Sequence, residues 1–222
     1  LTANLRKPTF SLQGRLKKMK ILRASLLALA LMIMTVGAWA QDTAKATFAG
    51  GCFWCMEEAY DEVDGVLETV SGFAGGDVPD PSYQEVVRGN TGHYEVVQIT
   101  YDPSQVSYEE LLDEFWYNID PVDGGGQFCD RGSQYLSAIF YHNSEQRRLA
   151  RESLRELERS DRVTREIATE IIELDEFYPA EEYHQNYYRK NPIRYNFYKT
   201  ACGREARLQE IWGAQAGGAS KK

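Results

Sequence analysis

This chain of 222 residues is short of several things, and each shortage removes a class of protein. No internal repeat recurs and no low-complexity linker divides residues 41–212, so one domain with a real core is expected rather than an array. No acidic side chain occurs in the first forty residues, which carry seven basic ones (Arg6, Lys7, Arg15, Lys17, Lys18, Lys20, Arg23). Beyond residue 40 basic groups become scarce: 18 remain against 33 acidic, a net charge of −15. Nucleic acid and anionic membrane both need a basic surface, so neither is expected as a partner. The apolar run from Ala24 to Gly37 falls short of the about 20 residues that a spanning helix requires. No cysteine follows it, so a lipoprotein attachment site is lacking. Cys-x-x-Cys occurs once, at Cys52 and Cys55, while Cys129 and Cys202 are isolated, so the paired motifs of a structural zinc site are missing.

What is present begins with a basic stretch, the apolar run and the small-x-small ending Ala38-Trp39-Ala40. Together these describe a secretory signal peptide over residues 19–40. Met19 opens its most typical part, so residues 1–18 read as an over-extended start. Export to a bacterial periplasm follows, with a membrane anchor as the alternative if the signal stays uncleaved. Residues 41–212 form the expected catalytic domain, and 213–222 a small, polar, disordered tail.

Hydrophobic periodicity orders the domain. Strands are expected at 46–49, 66–74, 92–102, 135–141 and 167–174. Helices are expected at 52–62, 83–88, 107–119, 144–159 and 180–190, the third with a Ser107-x-x-Glu110 capping box. In the last of these, spacing of four would align Tyr183 with Tyr187 and His184 with Tyr188. Residues 195–212 read as a tail free to move around Gly203. The order predicts an α+β fold: a ferredoxin-like α/β sandwich with a mostly antiparallel sheet and an extended C-terminal tail.

The stretch Thr47 to Met56 (TFAGGCFWCM) carries the chemistry. A short strand ends at Gly50-Gly51, and Cys52 follows at the start of a helix. Free N–H groups and the helix dipole there favour a thiolate, the reactive form of cysteine. Phe53 and Trp54 fix two aromatic rings beside that nucleophile. Three readings are open for Cys52 and Cys55: a dithiol pair that opens and closes a disulfide, half a zinc site, or a lone nucleophile at Cys52. Along 92–102, Glu95 shares a face with Val97 and Ile99, so its carboxyl is expected to be desolvated and to keep its proton near neutrality.

The run Gly51-Cys52-Phe53-Trp54 with Glu57 resembles the active-site signature of the peptide methionine sulfoxide reductase A family. So do Gly92-His93-Tyr94-Glu95-Val96-Val97 and Gln127-Phe128-Cys129-Asp130-Arg131-Gly132-Ser133-Gln134-Tyr135. Phe177-Tyr178-Pro179-Ala180-Glu181-Glu182-Tyr183-His184-Gln185 and Asn191-Pro192 complete the set, in the family's order, across most of residues 46–212. The resemblance implies reduction of the S epimer of methionine sulfoxide, in proteins and free. Cys52 would be the nucleophile, Phe53 and Trp54 the methyl pocket, and Glu95, Tyr83 and Tyr135 the donors to the sulfoxide oxygen. Asp130, His93 and Tyr187 would contact substrate. A Cys52 sulfenic acid would close to a disulfide, with Cys202 the leading resolving thiol and Cys55 and Cys129 the alternatives. A thioredoxin-like reductant would reopen it, with no bound cofactor or metal, in a monomer. Many relatives have a small residue at position 55, asparagine at 129 and arginine at 136, where this chain has cysteine, cysteine and leucine. The competing enzymatic reading is a thiol–disulfide oxidoreductase using Cys52 and Cys55, and the non-enzymatic one a disulfide-stapled binding module.

Overall fold

The structure is a computed structural model that describes residues 42–218. The expected signal segment, the stretch before it and the last four residues lie outside the described residues. No helix among the described residues is long and apolar enough to cross a membrane.

Strand β1 (Ala44–Gly50) leads into α1 (Phe53–Asp61), and β2 (Val66–Ala74) returns beside them. The short α2 (Tyr83–Val86) precedes β3 (Tyr94–Tyr101) and α3 (Tyr108–Tyr117). Ser107 caps α3 as its spacing predicts: its hydroxyl accepts the Glu110 N–H at 3.2 Å, and the Glu110 carboxylate accepts the Ser107 N–H at 2.8 Å. A tight two-residue pair, β4 (Gly126–Gln127) and β5 (Asp130–Arg131), crosses the loop before β6 (Ser137–Tyr141). Helix α4 (Ser144–Arg159), β7 (Glu170–Glu173) and β8 (Phe177–Pro179) follow. The chain then forms α5 (Tyr187–Lys190), α6 (Pro192–Ala201) and α7 (Arg204–Trp212).

The main sheet runs β7-β6-β1-β3-β2-β8. Its inner four strands pair antiparallel and take the order fourth, first, third, second of a βαββαβ unit, which is the ferredoxin-like arrangement. Strand β7 joins β6 in parallel, and β8 joins β2 antiparallel. One face of the sheet buries Phe48, Val97 and Ile99 against Met56, Tyr60, Leu111 and Phe115 of α1 and α3. The Phe48 ring lies 5.4 Å from Tyr60 and 5.3 Å from Phe115. Each such fully buried side chain stabilises the fold by about 1.5–3 kcal/mol.

Three local expectations change. Residues 180–186 are turns rather than helix, because the Gln185 amide bonds to the N–H and C=O of Ser71 (2.9 and 2.8 Å) and pins this stretch to the sheet edge. Asn186 then takes a left-handed conformation (φ 52°), and Tyr183 is exposed while Tyr187 is buried. The tail of 195–212 is docked rather than free. Leu208 and Trp212 of α7 join the main core, and the Trp212 indole donates to the Ile119 carbonyl at 2.9 Å. Gly213–Gln215 form a short 3-10 turn, so the tail is ordered through residue 218 instead of ending at 212.

Candidate active site

Two glycines set the entrance to α1. Gly51 has φ +81°, and a Cβ there would stand 2.5 Å from the Gln127 Cβ, so this turn requires glycine. Gln127 is held in place by its own amide, which accepts the Asp120 N–H and donates to the Asp120 carbonyl, both at 2.8 Å. The turn sets Cys52 at the N-cap of α1, only 6% exposed.

The first amide of that helix does not serve the sulfur. The Phe53 N–H donates to Glu95 Oε2 at 3.1 Å, so the helix start holds the carboxyl group instead. Burial pushes the Cys52 thiol well above the ordinary thiol range, and its hydrogen bond to Cys55 adds to this. The same bond holds the Cys55 sulfur down to about 6 against its own burial, with Arg204, Tyr195 and Lys199 helping. In the substrate-free site the coupling therefore favours the proton on Cys52 and negative charge on Cys55. The depressed Cys52 thiol expected from a helix start is not what forms here, because that N–H is already committed to Glu95.

Glu95 is 2% exposed. Desolvation raises its pKa well above the carboxylate range, with the nearby Asp130 and Cys55 adding to it against the Phe53 hydrogen bond. Burial thus favours its neutral, protonated form. Burial likewise raises Tyr83 and Tyr135, each of which also feels Glu95 and Cys52, so both keep their phenolic protons. One acid and two phenols thus gather around the Cys52 sulfur, where an oxygen developing negative charge would be met by proton donors.

An aromatic wall closes the site. Trp54 stacks on Tyr187 with ring centres 3.8 Å apart and planes at 8°. Its indole N–H donates to His184 Nδ1 at 3.1 Å, and the Tyr198 ring meets it edge-on at 6.0 Å. Phe53 lies beneath, fully buried against Phe73, Tyr83 and His184.

The family model described as peptide methionine sulfoxide reductase matches residues 44–216, the whole of this fold. The chain belongs to the peptide methionine sulfoxide reductase family. It is 53% identical over 174 residues to peptide methionine sulfoxide reductase MsrA of Bacillus licheniformis, covering 78% of this chain and 96% of that protein. It is 51% identical over 170 residues to the Bacillus subtilis MsrA, covering 77% and 96%. Against the Vibrio cholerae MsrA/MsrB protein it is 48% identical over 180 residues, which is 81% of this chain and 48% of that protein, so it spans about half of that relative. Among solved structures, methionine sulfoxide reductase A of Corynebacterium diphtheriae superposes with a TM-score of 0.65 at 36% identity, over 70% of this chain and 78% of that one. Reduced Mxr1 of Saccharomyces cerevisiae gives 0.65 at 34%, over 71% and 91%.

The structure gathers most of the residues that the family resemblance named. Cys52, Phe53, Trp54, Tyr83, Glu95, Tyr135 and Tyr187 meet in one place. Asp130 borders it: its carboxylate accepts the Tyr198 hydroxyl, and burial raises its pKa. Its neighbour Arg131 is drawn away by two bonds to Asp123, at 2.5 and 2.9 Å. His93 does not belong to the site. Its Nδ1 accepts the Gly76 N–H at 3.1 Å and its Nε2 faces the Val78 carbonyl at 2.7 Å, so both ring nitrogens are spent on the loop between β2 and α2.

The cysteines are placed differently from the leading expectation. Cys202 is bonded to Cys129, with Cα atoms 4.9 Å apart, while Cys52 and Cys55 are free thiols. In this state Cys202 has no thiol with which to meet Cys52. Cys129, Asp130 and Cys202 form the one group close enough to hold a metal among the described residues, but two of its members are disulfide sulfurs rather than thiolate ligands.

Several site residues had no weight in the sequence. His184 stood in a motif but without a role. Tyr198 and Arg204 lie in the tail, where no spacing marked them, and only the docking of α6 and α7 brings them to α1.

Proposed function

We propose that the chain reduces the S epimer of methionine sulfoxide, in oxidised proteins and as the free amino acid, with Cys52 as nucleophile. The observation that carries this reading is a buried Glu95 fixed by the amide next to Cys52, its carboxyl pushed toward the protonated form by desolvation, with Tyr83 and Tyr135 alongside. A sulfoxide sulfur becomes electrophilic only as its oxygen takes a proton, and Glu95 supplies it. Cys52 attacks, its own proton passing along the existing hydrogen bond to Cys55. The oxygen moves to the Cys52 sulfur, methionine leaves, and a sulfenic acid remains. Trp54 and Phe53 hold the S-methyl group, and Tyr187 and Asp130 border the substrate backbone.

The sulfenic acid then condenses with a second thiol, releasing water. Cys55 is the resolving thiol that the geometry supports, since it faces Cys52 across one helical turn while Cys129 and Cys202 bind each other. A thioredoxin-like dithiol reductant reopens the disulfide, and the chain itself works without a cofactor, as a monomer. Turnover of a peptide carrying each sulfoxide epimer, with dithiothreitol as reductant, tests the assignment. Consumption of the S epimer alone is expected. Disulfide exchange without sulfoxide consumption would instead mark a thiol–disulfide oxidoreductase.

The basic-apolar-small segment at 19–40 supports export to the periplasm. N-terminal sequencing of the protein from fractionated cells is expected to begin at Gln41; an intact residue 19 in the membrane fraction would overturn cleavage.

A further inference from the structure

Helix α7 begins one residue after Cys202-Gly203, and its first residue, Arg204, is 4% exposed although it carries a permanent charge. The hydrogen bonds that hold its guanidinium go to neutral partners. Nη2 donates to the Asn118 carbonyl at 2.6 Å and to the Met56 sulfur at 3.2 Å, and the group lies 4.5 Å over the Phe128 ring. Burying a guanidinium against a carbonyl, a thioether and a ring costs free energy unless negative charge is near. Met56 is the neighbour of Cys55, and Arg204 and Cys55 line the same cavity of about 210 Å³ behind α1, whose other charged groups are Lys199 and the carboxylates Glu58, Glu62 and Glu205; Asp130 also feels the guanidinium. Two clamps fix the guanidinium there: the Phe128 ring beneath it, and the Cys129–Cys202 disulfide that ties the residue after Phe128 to the end of α6.

We propose that Arg204 is the positioning residue that stabilises the Cys55 thiolate as it attacks the Cys52 sulfenic acid. The proposal rests on the reading that Cys55 resolves. As the S–S bond forms, Cys55 sheds the proton it took from Cys52 in the first step, the S–O bond of the sulfenic acid breaks, and that proton, relayed by the Glu95 carboxylate, lets the departing oxygen leave as water. Glu95 regains its proton from solvent. Lys199 faces the same sulfur but is paired with Glu58, which also accepts the Tyr195 hydroxyl at 2.7 Å, so its charge is partly spent. The other titratable groups around the pair are Cys52, Glu95, Asp130, Tyr195, Tyr198 and the cavity carboxylates Glu58, Glu62 and Glu205; all are acids, and they favour charge on Cys55 only by donating a hydrogen bond, as Cys52 and Tyr195 do.

Arg204→Gln tests this, because its amide can still donate to the Asn118 carbonyl, and Arg204→Lys restores the charge. In the full-length protein treated with iodoacetamide, site-resolved mass spectrometry reads alkylation of Cys55 at pH 5, below its value of about 6, where the thiolate fraction follows the pKa in proportion. A tenfold slower reaction is expected in Arg204→Gln, equivalent to about one unit in thiol pKa, with Arg204→Lys within threefold of the parent. After one equivalent of sulfoxide peptide, dimedone-trapped Cys52 sulfenic acid is expected to persist about tenfold longer in Arg204→Gln. A loss of packing alone would not be rescued by lysine. Alkylation and sulfenic-acid lifetimes within twofold of the parent in Arg204→Gln would overturn the role of Arg204. A disulfide that maps to Cys52 with Cys129 or Cys202 in the parent would overturn the resolving role of Cys55 instead, while the alkylation comparison still reports on Arg204.

Discussion

Replacing Glu95 with glutamine isolates the proton that the proposed reaction needs. Glutamine has the same shape, and its carbonyl oxygen can accept the Phe53 N–H that Glu95 Oε2 now accepts at 3.1 Å, so the start of α1 should keep its place. What is lost is an acidic proton in a site where burial holds the carboxyl neutral. General acid catalysis is worth about 10²–10⁴-fold. Tyr83 and Tyr135 remain as hydrogen-bond donors, which places the expected loss in kcat/KM at about 10²–10³-fold, or roughly 3–4 kcal/mol of transition-state stabilisation. The pH profile should change as well. In the parent, activity should fall on the alkaline side as Glu95 ionises through its raised pKa; in Glu95→Gln that limb should disappear. The assay is methionine release from an S-sulfoxide peptide with dithiothreitol, from pH 5.5 to 9.5. A variant within threefold of the parent at pH 7, or one with the same alkaline limb, would refute Glu95 as the acid.

Three further outcomes follow. Cys202→Ser removes a disulfide that spans 73 residues, and chain entropy alone predicts about 4 kcal/mol lower stability in denaturant titration; many turnovers with dithiothreitol should persist, and an enzyme that stops after one would return the resolving role to Cys202. Glu57 is raised to about 7 mainly by burial, while its Oε1 accepts the Asn186 N–H at 2.9 Å. The sign is that of a carboxyl with a raised folded pKa: stability is full below the unfolded value near 4.3 and is lost as pH rises through about 7, so melting temperature should fall between pH 5 and 8 less steeply in Glu57→Gln than in the parent. Gly51→Ala places a Cβ against Gln127 at φ +81° and should cost about 3 kcal/mol, measured by denaturant unfolding; a loss under 1 kcal/mol would mean that the turn relaxes.

Much of the site was legible because its parts are local. Gly50-Gly51-Cys52-Phe53-Trp54 encodes a strand end, a left-handed turn and a helix start within a few residues, and such short-range chemistry survives in sequence. Glu95 was readable for a similar reason: period-two alternation puts it on the face of Val97 and Ile99, and that face is the core. His93 stood on the same face and was misread, because the loop that takes both of its ring nitrogens lies 15 to 17 residues away. The 180–190 stretch reads as helix by spacing alone, yet Gln185 reaches 114 residues back to Ser71 and holds the part before Tyr187 as turns.

The sequence by itself determined the βαββαβ order through β6, a candidate nucleophile, and a carboxyl on an apolar face, since each follows from residue type and spacing along one strand or one helix. Tertiary structure alone decided which sulfurs meet. Four cysteines allow three pairings, and only the docking of α6 and α7 joins Cys202 to Cys129 and leaves Cys55 beside Cys52. It also decided where the charge rests. The helix start that should have ionised Cys52 gives its first N–H to Glu95, and a buried arginine from the far end of the chain faces Cys55 instead. Charge in a buried site depends on distances between groups far apart in sequence, and those distances exist only once the chain has folded.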